Sequence, residues 1–102
     1  MPSSPLPNIE ISRRATRDLR KLASTDVRRV RGTLESLSAG AENLDVKAVA
    51  NRPSWLRLRV GELRVLYRPL TDEELRGSGQ KWLISRVIHR RELDRAIASL
   101  DP

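Results

Sequence analysis

The stretch Trp55–Arg68, WLRLRVGELRVLYR, leaves this chain few choices. Apolar and arginine residues alternate on both sides of Gly61-Glu62, which is the period of a strand. Two residues between two such runs, with glycine first, make a type II′ hairpin turn. A turn of that length fixes the register. Val60 faces Leu63, Arg59 faces Arg64, Leu58 faces Val65, Arg57 faces Leu66, Leu56 faces Tyr67 and Trp55 faces Arg68. Directly opposed residues share one face of a sheet. One face therefore gathers Leu56, Leu58, Val60, Leu63, Val65 and Tyr67, an apolar surface ready for burial. The other gathers Trp55, Arg57, Arg59, Arg64, Leu66 and Arg68. A slip of one residue would mix the two sets, so the clean sorting supports the register.

The second face poses a chemical question. Arg59 and Arg64 stand directly opposite each other, and like charges in that position repel unless an anion lies between them. A row of arginines with a tryptophan is a surface suited to phosphates, with a ring on which a base can stack. The plainer alternative is an exposed strand face kept soluble by charge. Composition does not decide between them. The chain carries a net charge of +7 and an estimated pI of about 11.2, so an acidic partner is expected, whether nucleic acid, an anionic membrane or an acidic protein. Of 20 basic residues only Lys21, Lys47 and Lys81 are lysine, which leaves 17 arginines. Arginine offers a planar fork matched to phosphate, although a coding bias gives the same count.

The rest of the chain supplies elements to pack on the hairpin. Asn8–Ser12, NIEIS, alternates like a short strand, and Ser12 is placed to cap a helix beginning at Arg13. Ala15, Leu19 and Leu22 follow at helical spacing. Ser24, Thr25 and Asp26 mark a second helix start, Val27, Val30, Leu34 and Leu37 form its apolar stripe, and Gly40 is its stop. The two helices read as an antiparallel hairpin whose outer faces carry Arg13, Arg14, Arg17, Arg20, Arg28, Arg29 and Arg31, most simply a solvated surface. Residues 41–53 read as a connection, and 69–81, PLTDEELRGSGQK, as a polar loop. WLISRVIH is apolar on both faces, as a central strand covered on both sides would be. RRELDRAIASL closes the chain as a helix with Leu93, Ile97 and Leu100 on one stripe. The order β-α-α-β-β-β-α predicts an α+β fold: a small, mainly antiparallel sheet with an N-terminal helical hairpin and a C-terminal helix. Residues 1–102 read as one domain, with 1–7 a loose lead-in.

Several chemistries are excluded. There is no cysteine, hence no disulfide framework or thiolate nucleophile, and the one histidine, His89, rules out a multi-histidine metal site. No apolar run approaches the length of a membrane span, and MPSSPLPN lacks the regions of a signal peptide, so the expectation is a cytoplasmic protein away from membranes. His89 is the one side chain whose type titrates near neutral pH. Arginine stays protonated and is no base. If the chain cleaves anything by proton transfer, His89 leads on composition alone, with Glu92 and Asp94 as neighbouring carboxylates; a lone histidine is more often structural.

Val46-Lys47, then Arg57–Gly61 with Arg64–Tyr67, then His89-Arg90-Arg91-Glu92, resemble in order and spacing the RelE/ParE superfamily of type II toxin-antitoxin toxins. The resemblance runs from about Asn8 to Leu100. It implies a RelE-like fold and a toxin that cuts messenger RNA on the ribosome, in which the RNA 2′-hydroxyl attacks the adjacent phosphodiester without metal or cofactor. Arg57, Arg64, His89 and Arg90 would then be catalytic, and Lys47, Trp55, Arg59, Arg68 and Arg91 would bind RNA. The implied partners are an antitoxin protein that is partly disordered when alone, the ribosome with mRNA, and operator DNA for the toxin-antitoxin complex. Many RelE-like members carry a tyrosine where this chain has Asp94, and some carry lysine where it has Arg57. ParE-like relatives share the scaffold and poison DNA gyrase, and others keep antitoxin and DNA binding alone. These remain alternatives.

Overall fold

A computed structural model describes residues 6–75 and 81–100, so the lead-in assigned to 1–7 lies largely outside the described residues, as does the centre of the polar loop. Five strands form one sheet: β1 (Ile9–Ile11), β2 (Val46–Ala48), β3 (Leu56–Val60), β4 (Leu63–Pro69) and β5 (Trp82–His89). Their order across the sheet is β1-β5-β4-β3-β2. All neighbours are antiparallel except β1 with β5. Helices α1 (Arg13–Arg20) and α2 (Ser24–Ser38) follow β1. A short α3 (Asp72–Leu75) lies between β4 and β5, and α4 (Leu93–Ala98) closes the chain. No helix among the described residues is long and apolar enough to cross a membrane.

The hairpin forms in the expected register, from Leu56 opposite Tyr67 to Val60 opposite Leu63. Gly61 takes φ 59° at the turn, where glycine carries no Cβ penalty. A Cβ there would also meet the Arg29 side chain of α2 at 2.9 Å. The expected helix ends hold too. Ser12 Oγ accepts the Ala15 N–H at 3.1 Å. After α2, Gly40 takes φ 82°, while Gly40 N–H bonds Leu37 O and Ala41 N–H bonds Ser36 O, the double closure that satisfies a helix's last carbonyls.

The apolar face of the hairpin meets α1 and α2. Ile9, Ala15, Val30, Leu34, Leu58, Val65, Ile84 and Val87 are among the buried side chains of that core. Tyr67 lies in it against the Trp82 ring, edge to face at 5.4 Å. A second, smaller core lies on the other face, where Leu66 and Ile88 are covered by Ala96 and Leu100, with Val49 and Trp55 at its side. β5 is thus covered on both faces, as its composition predicts. A bulge between its pairings with Leu66 and Tyr67, at Ser85, lets Ile84 serve one core while Ile88 serves the other.

Three elements depart from the sequence reading. Residues 41–53 contain the edge strand β2, too short for its alternation to show. The described part of the polar loop contains α3, built on a capping box: Glu74 N–H bonds Thr71 Oγ1 at 3.2 Å and Thr71 N–H bonds Glu74 Oε1 at 2.9 Å. The closing helix begins at Leu93, not Arg90, because Arg90–Glu92 form a 3₁₀ turn whose Arg91 N–H is taken by His89 Nδ1 at 3.3 Å.

Candidate functional site

The second sheet face divides into two regions. At the outer end of β4 and on β5, arginines are tied to acids. Arg68 makes two bonds to the Glu74 carboxylate, 2.7 and 2.9 Å, and lies 5.6 Å from the centre of the Trp55 ring. These bonds, then the Thr71 backbone N–H, hold the Glu74 carboxyl at about 2, below its usual range. Arg86 pairs with Asp18 of α1 at 2.8 and 3.2 Å, and the same carboxylate takes the Val87 N–H at 2.9 Å. That N–H points to the side of β5 where β1 has already ended, at Ile11 opposite Ile84, so Asp18 satisfies an edge donor as well as a charge. Its hydrogen bonds are the main reason the Arg86 guanidinium holds its proton more tightly than usual.

Near the turn the arrangement is different. Asp45, Lys47, Arg57, Arg59 and Arg64 line one hollow of about 80 Å³. Strand geometry makes it. Lys47 pairs with Arg57 across β2 and β3, and Arg59 with Arg64 across β3 and β4. The Arg59 N–H bonds Asp45 O at 2.9 Å, which carries the ladder one residue past β2. Asp45, Arg59 and Arg64 thus form one row across three adjacent segments, and Lys47 and Arg57 belong to the next row. Partial burial, then the charges of Arg59 and Arg57, pull the Arg64 guanidinium below its ordinary value; Glu62 opposes this and Arg90 adds to it. Arginine nonetheless remains a cation throughout the physiological range. The repulsion is relieved in part because Arg64 Nη1 turns back to Gly61 O at 3.0 Å and Leu63 O at 2.9 Å. Arg59 is 3.9 Å from Asp45, and Arg90 is 3.5 Å from Glu62. Both pairs are more than half exposed, so they hold their arginines weakly.

Of the residues singled out from sequence, the fold brings Lys47, Arg57, Arg59 and Arg64 together, with Arg90 close enough to be felt by Arg64. It does not bring His89 to them. His89 pairs with Leu63, on the face of the first core, whereas Arg64 pairs with Ile88 on the opposite face. Its Nδ1 is engaged by the Arg91 N–H. Trp55 is 5% exposed and belongs to the second core, so the stacking role expected of it does not fit its burial. Leu66, grouped with the arginines by alternation, is wholly buried beneath Ala96 and Leu100. Arg68 is held by Glu74. Arg91 and Asp94 are exposed on the turn after β5 and at the start of α4, outside the lining of the hollow. Two acids at the rim, Asp45 and Glu62, escaped the sequence reading. For Asp45 the signal was the alternation of Asp45-Val46-Lys47, legible only once β2 is known to be a strand. For Glu62 it was its place in the turn.

Sequence and fold together place this α+β chain in a known class. Residues 9–94 match the family described as the ParE toxin of the type II toxin-antitoxin system. The chain is 30% identical over 88 residues to the protein named RelE1 in Methanocaldococcus jannaschii, covering 83% of this chain and 90% of that one. The fold is similar to the RelB-RelE antitoxin-toxin complex of Methanococcus jannaschii, with a TM-score of 0.65 at 17% identity over 84% of this chain and 95% of that one. It is also similar to the RelBE2 toxin-antitoxin complex of Mycobacterium tuberculosis, with a TM-score of 0.63 at 27% identity over 81% and 96%. This protein is a toxin of a type II toxin-antitoxin system. It belongs to the RelE/ParE family.

Proposed function

We propose that the hollow holds a phosphodiester of messenger RNA and that the toxin cuts it on the ribosome, by attack of the RNA 2′-hydroxyl on the neighbouring phosphorus. The observation that carries this reading is the convergence of Arg57, Arg59, Arg64 and Lys47 on one hollow with Arg90 at its edge. Fixed cations placed where phosphorane charge grows lower the barrier without any reorganisation during the reaction. Arg59 and Arg64, opposed across the hairpin, clamp the phosphate; an anion between them removes their mutual repulsion. Arg57 and Arg90 stabilise the developing charge, and Lys47 contacts the backbone. The RelE1 likeness supports a nuclease. The test is translation in vitro with purified protein, mapping mRNA ends at the ribosomal A site. New 5′ ends that disappear with Arg64→Ala are expected, and intact mRNA would overturn the reading.

The antitoxin is the second element of the proposal. The solved relatives are toxin-antitoxin complexes, which supports a cognate antitoxin for this chain. A net charge of +7 suits a partner segment with acidic residues. The resulting complex would bind operator DNA. One observation favours a different target: the matching family carries the ParE description. With Asp94 in place of the tyrosine of many RelE-like members, DNA gyrase is the second reading, and a supercoiling assay separates the two.

A further inference from the structure

A nuclease of the proposed kind needs a group to take the proton from the 2′-hydroxyl, and the fold removes the obvious one. His89 faces the opposite side of the sheet, and its Nδ1 is occupied by the Arg91 N–H. Within the hollow, Arg57, Arg59 and Arg64 cannot act as bases, and Lys47 must first lose a proton before it can accept one. The remaining side chain lining the hollow is Asp45, whose carboxylate accepts as it stands. Its place is set by the ladder. The Arg59 N–H bonds Asp45 O at 2.9 Å, so Asp45 sits opposite Arg59, in the same row as Arg59 and Arg64. Strands lie roughly 4.8 Å apart, so the row runs from an acid at one end to Arg64 about 10 Å away at the other. That span accommodates a 2′-oxygen beside the acid and a phosphate beside the arginines. The carboxylate is half exposed and lies 3.9 Å from Arg59, close enough to be oriented and loose enough to turn to a substrate.

On the reading that this toxin cuts RNA, we infer that Asp45 is its general base. The carboxylate takes the 2′-hydroxyl proton as the 2′-oxygen bonds to phosphorus. The phosphorus–5′-oxygen bond breaks with its electron pair on the 5′-oxygen, which takes a proton from water. The products are a 2′,3′-cyclic phosphate and a 5′-hydroxyl. Arg59, Lys47, Arg57 and Arg64 are the charged groups facing Asp45 from β2, β3 and β4.

The test compares wild type with Asp45→Asn and Asp45→Glu in ribosome-dependent cleavage, followed as a function of pH. Asp45→Asn is expected to lower kcat by at least about a hundredfold, the scale of a lost general base. It should also abolish the acidic limb of the pH–rate profile, with Asp45→Glu restoring part of both. Binding of an uncleavable message with a 2′-deoxy scissile nucleotide should be as tight or tighter in Asp45→Asn, because a negative charge has left a phosphate site. A merely structural role for Asp45 in holding Arg59 predicts weaker binding and an unaltered profile shape, and either result overturns the inference. So does an Asp45→Asn protein that cuts at the wild-type rate. If wild type itself leaves mRNA intact, the nuclease reading fails and the inference falls with it.

Discussion

Two regions of one sheet face use the same residue type for opposite purposes. On β5 and at the outer end of β4, Arg86 and Arg68 are bound to Asp18 and Glu74 through paired hydrogen bonds. Near the turn, Arg57, Arg59, Arg64 and Arg90 crowd one another, and the acids beside them, Asp45 and Glu62, are exposed and loosely engaged. The first arrangement neutralises charge locally and fastens α1 and α3 to the sheet. The second leaves charge uncompensated at a hollow, which costs stability and is useful to an anion. An arginine count reveals neither role; the distance to the nearest carboxylate reveals both.

The largest effect expected among the tied arginines is that of Asp18→Ala. It strands the half-buried Arg86 guanidinium and the Val87 N–H together, and breaking such a pair costs about 3 kcal/mol. Denaturant unfolding measures it, and a loss below about 1 kcal/mol would erase the distinction between the two regions. Slightly smaller is the effect of Arg64→Ala on RNA cleavage. A hundredfold loss, about 2.7 kcal/mol of transition-state stabilisation, is expected, with folding stability unchanged within about 0.5 kcal/mol.

Glu74→Gln sharpens the picture at modest scale. Glu74 is partly exposed, so its pair with Arg68 and its cap contribute about 0.5–1 kcal/mol. Because its folded-state value is depressed from 4.5 to about 2, that contribution is fully present above pH 4.5 and is lost as pH falls through about 2. Wild type and Glu74→Gln should therefore differ in stability at pH 6 and converge toward pH 2. Smallest is His89→Ala. Losing its Nδ1 cap on Arg91 costs about 0.5 kcal/mol, and the cleavage rate should not change. A large drop in cleavage would return His89 to the site.

Much of this was legible in the chain. The glycine-first turn fixed the hairpin register, and helix signals at Ser12 and Gly40 gave correct helix ends, because local backbone chemistry determines both. Arg57, Arg59 and Arg64 shared a face by alternation alone. What failed was long-range. Alternation placed Trp55 and Leu66 among the arginines, but α4 folds back over them, and nothing in residues 55–68 encodes that cover. His89 looked joined to Arg90 because they are adjacent, yet the strand ends at His89, which pairs with Leu63, and Arg90 opens the 3₁₀ turn that sets it beside Glu62. Arg68 was placed among the RNA-binding residues because its acid, Glu74, lies on another element. Asp45 stayed hidden because a three-residue strand carries too little pattern to register.

The central claim is that the hollow beside the turn is the working site and the tied arginines are scaffold. The most direct measurement is RNA cleavage per folded molecule for Arg64→Ala and Asp18→Ala side by side, with the folded fraction fixed by circular dichroism at the assay temperature. The account predicts that Arg64→Ala is as stable as wild type and cuts about a hundredfold more slowly, while Asp18→Ala is less stable and its folded molecules cut at the wild-type rate. Folded Asp18→Ala that fails to cut, or Arg64→Ala that cuts normally, would contradict it.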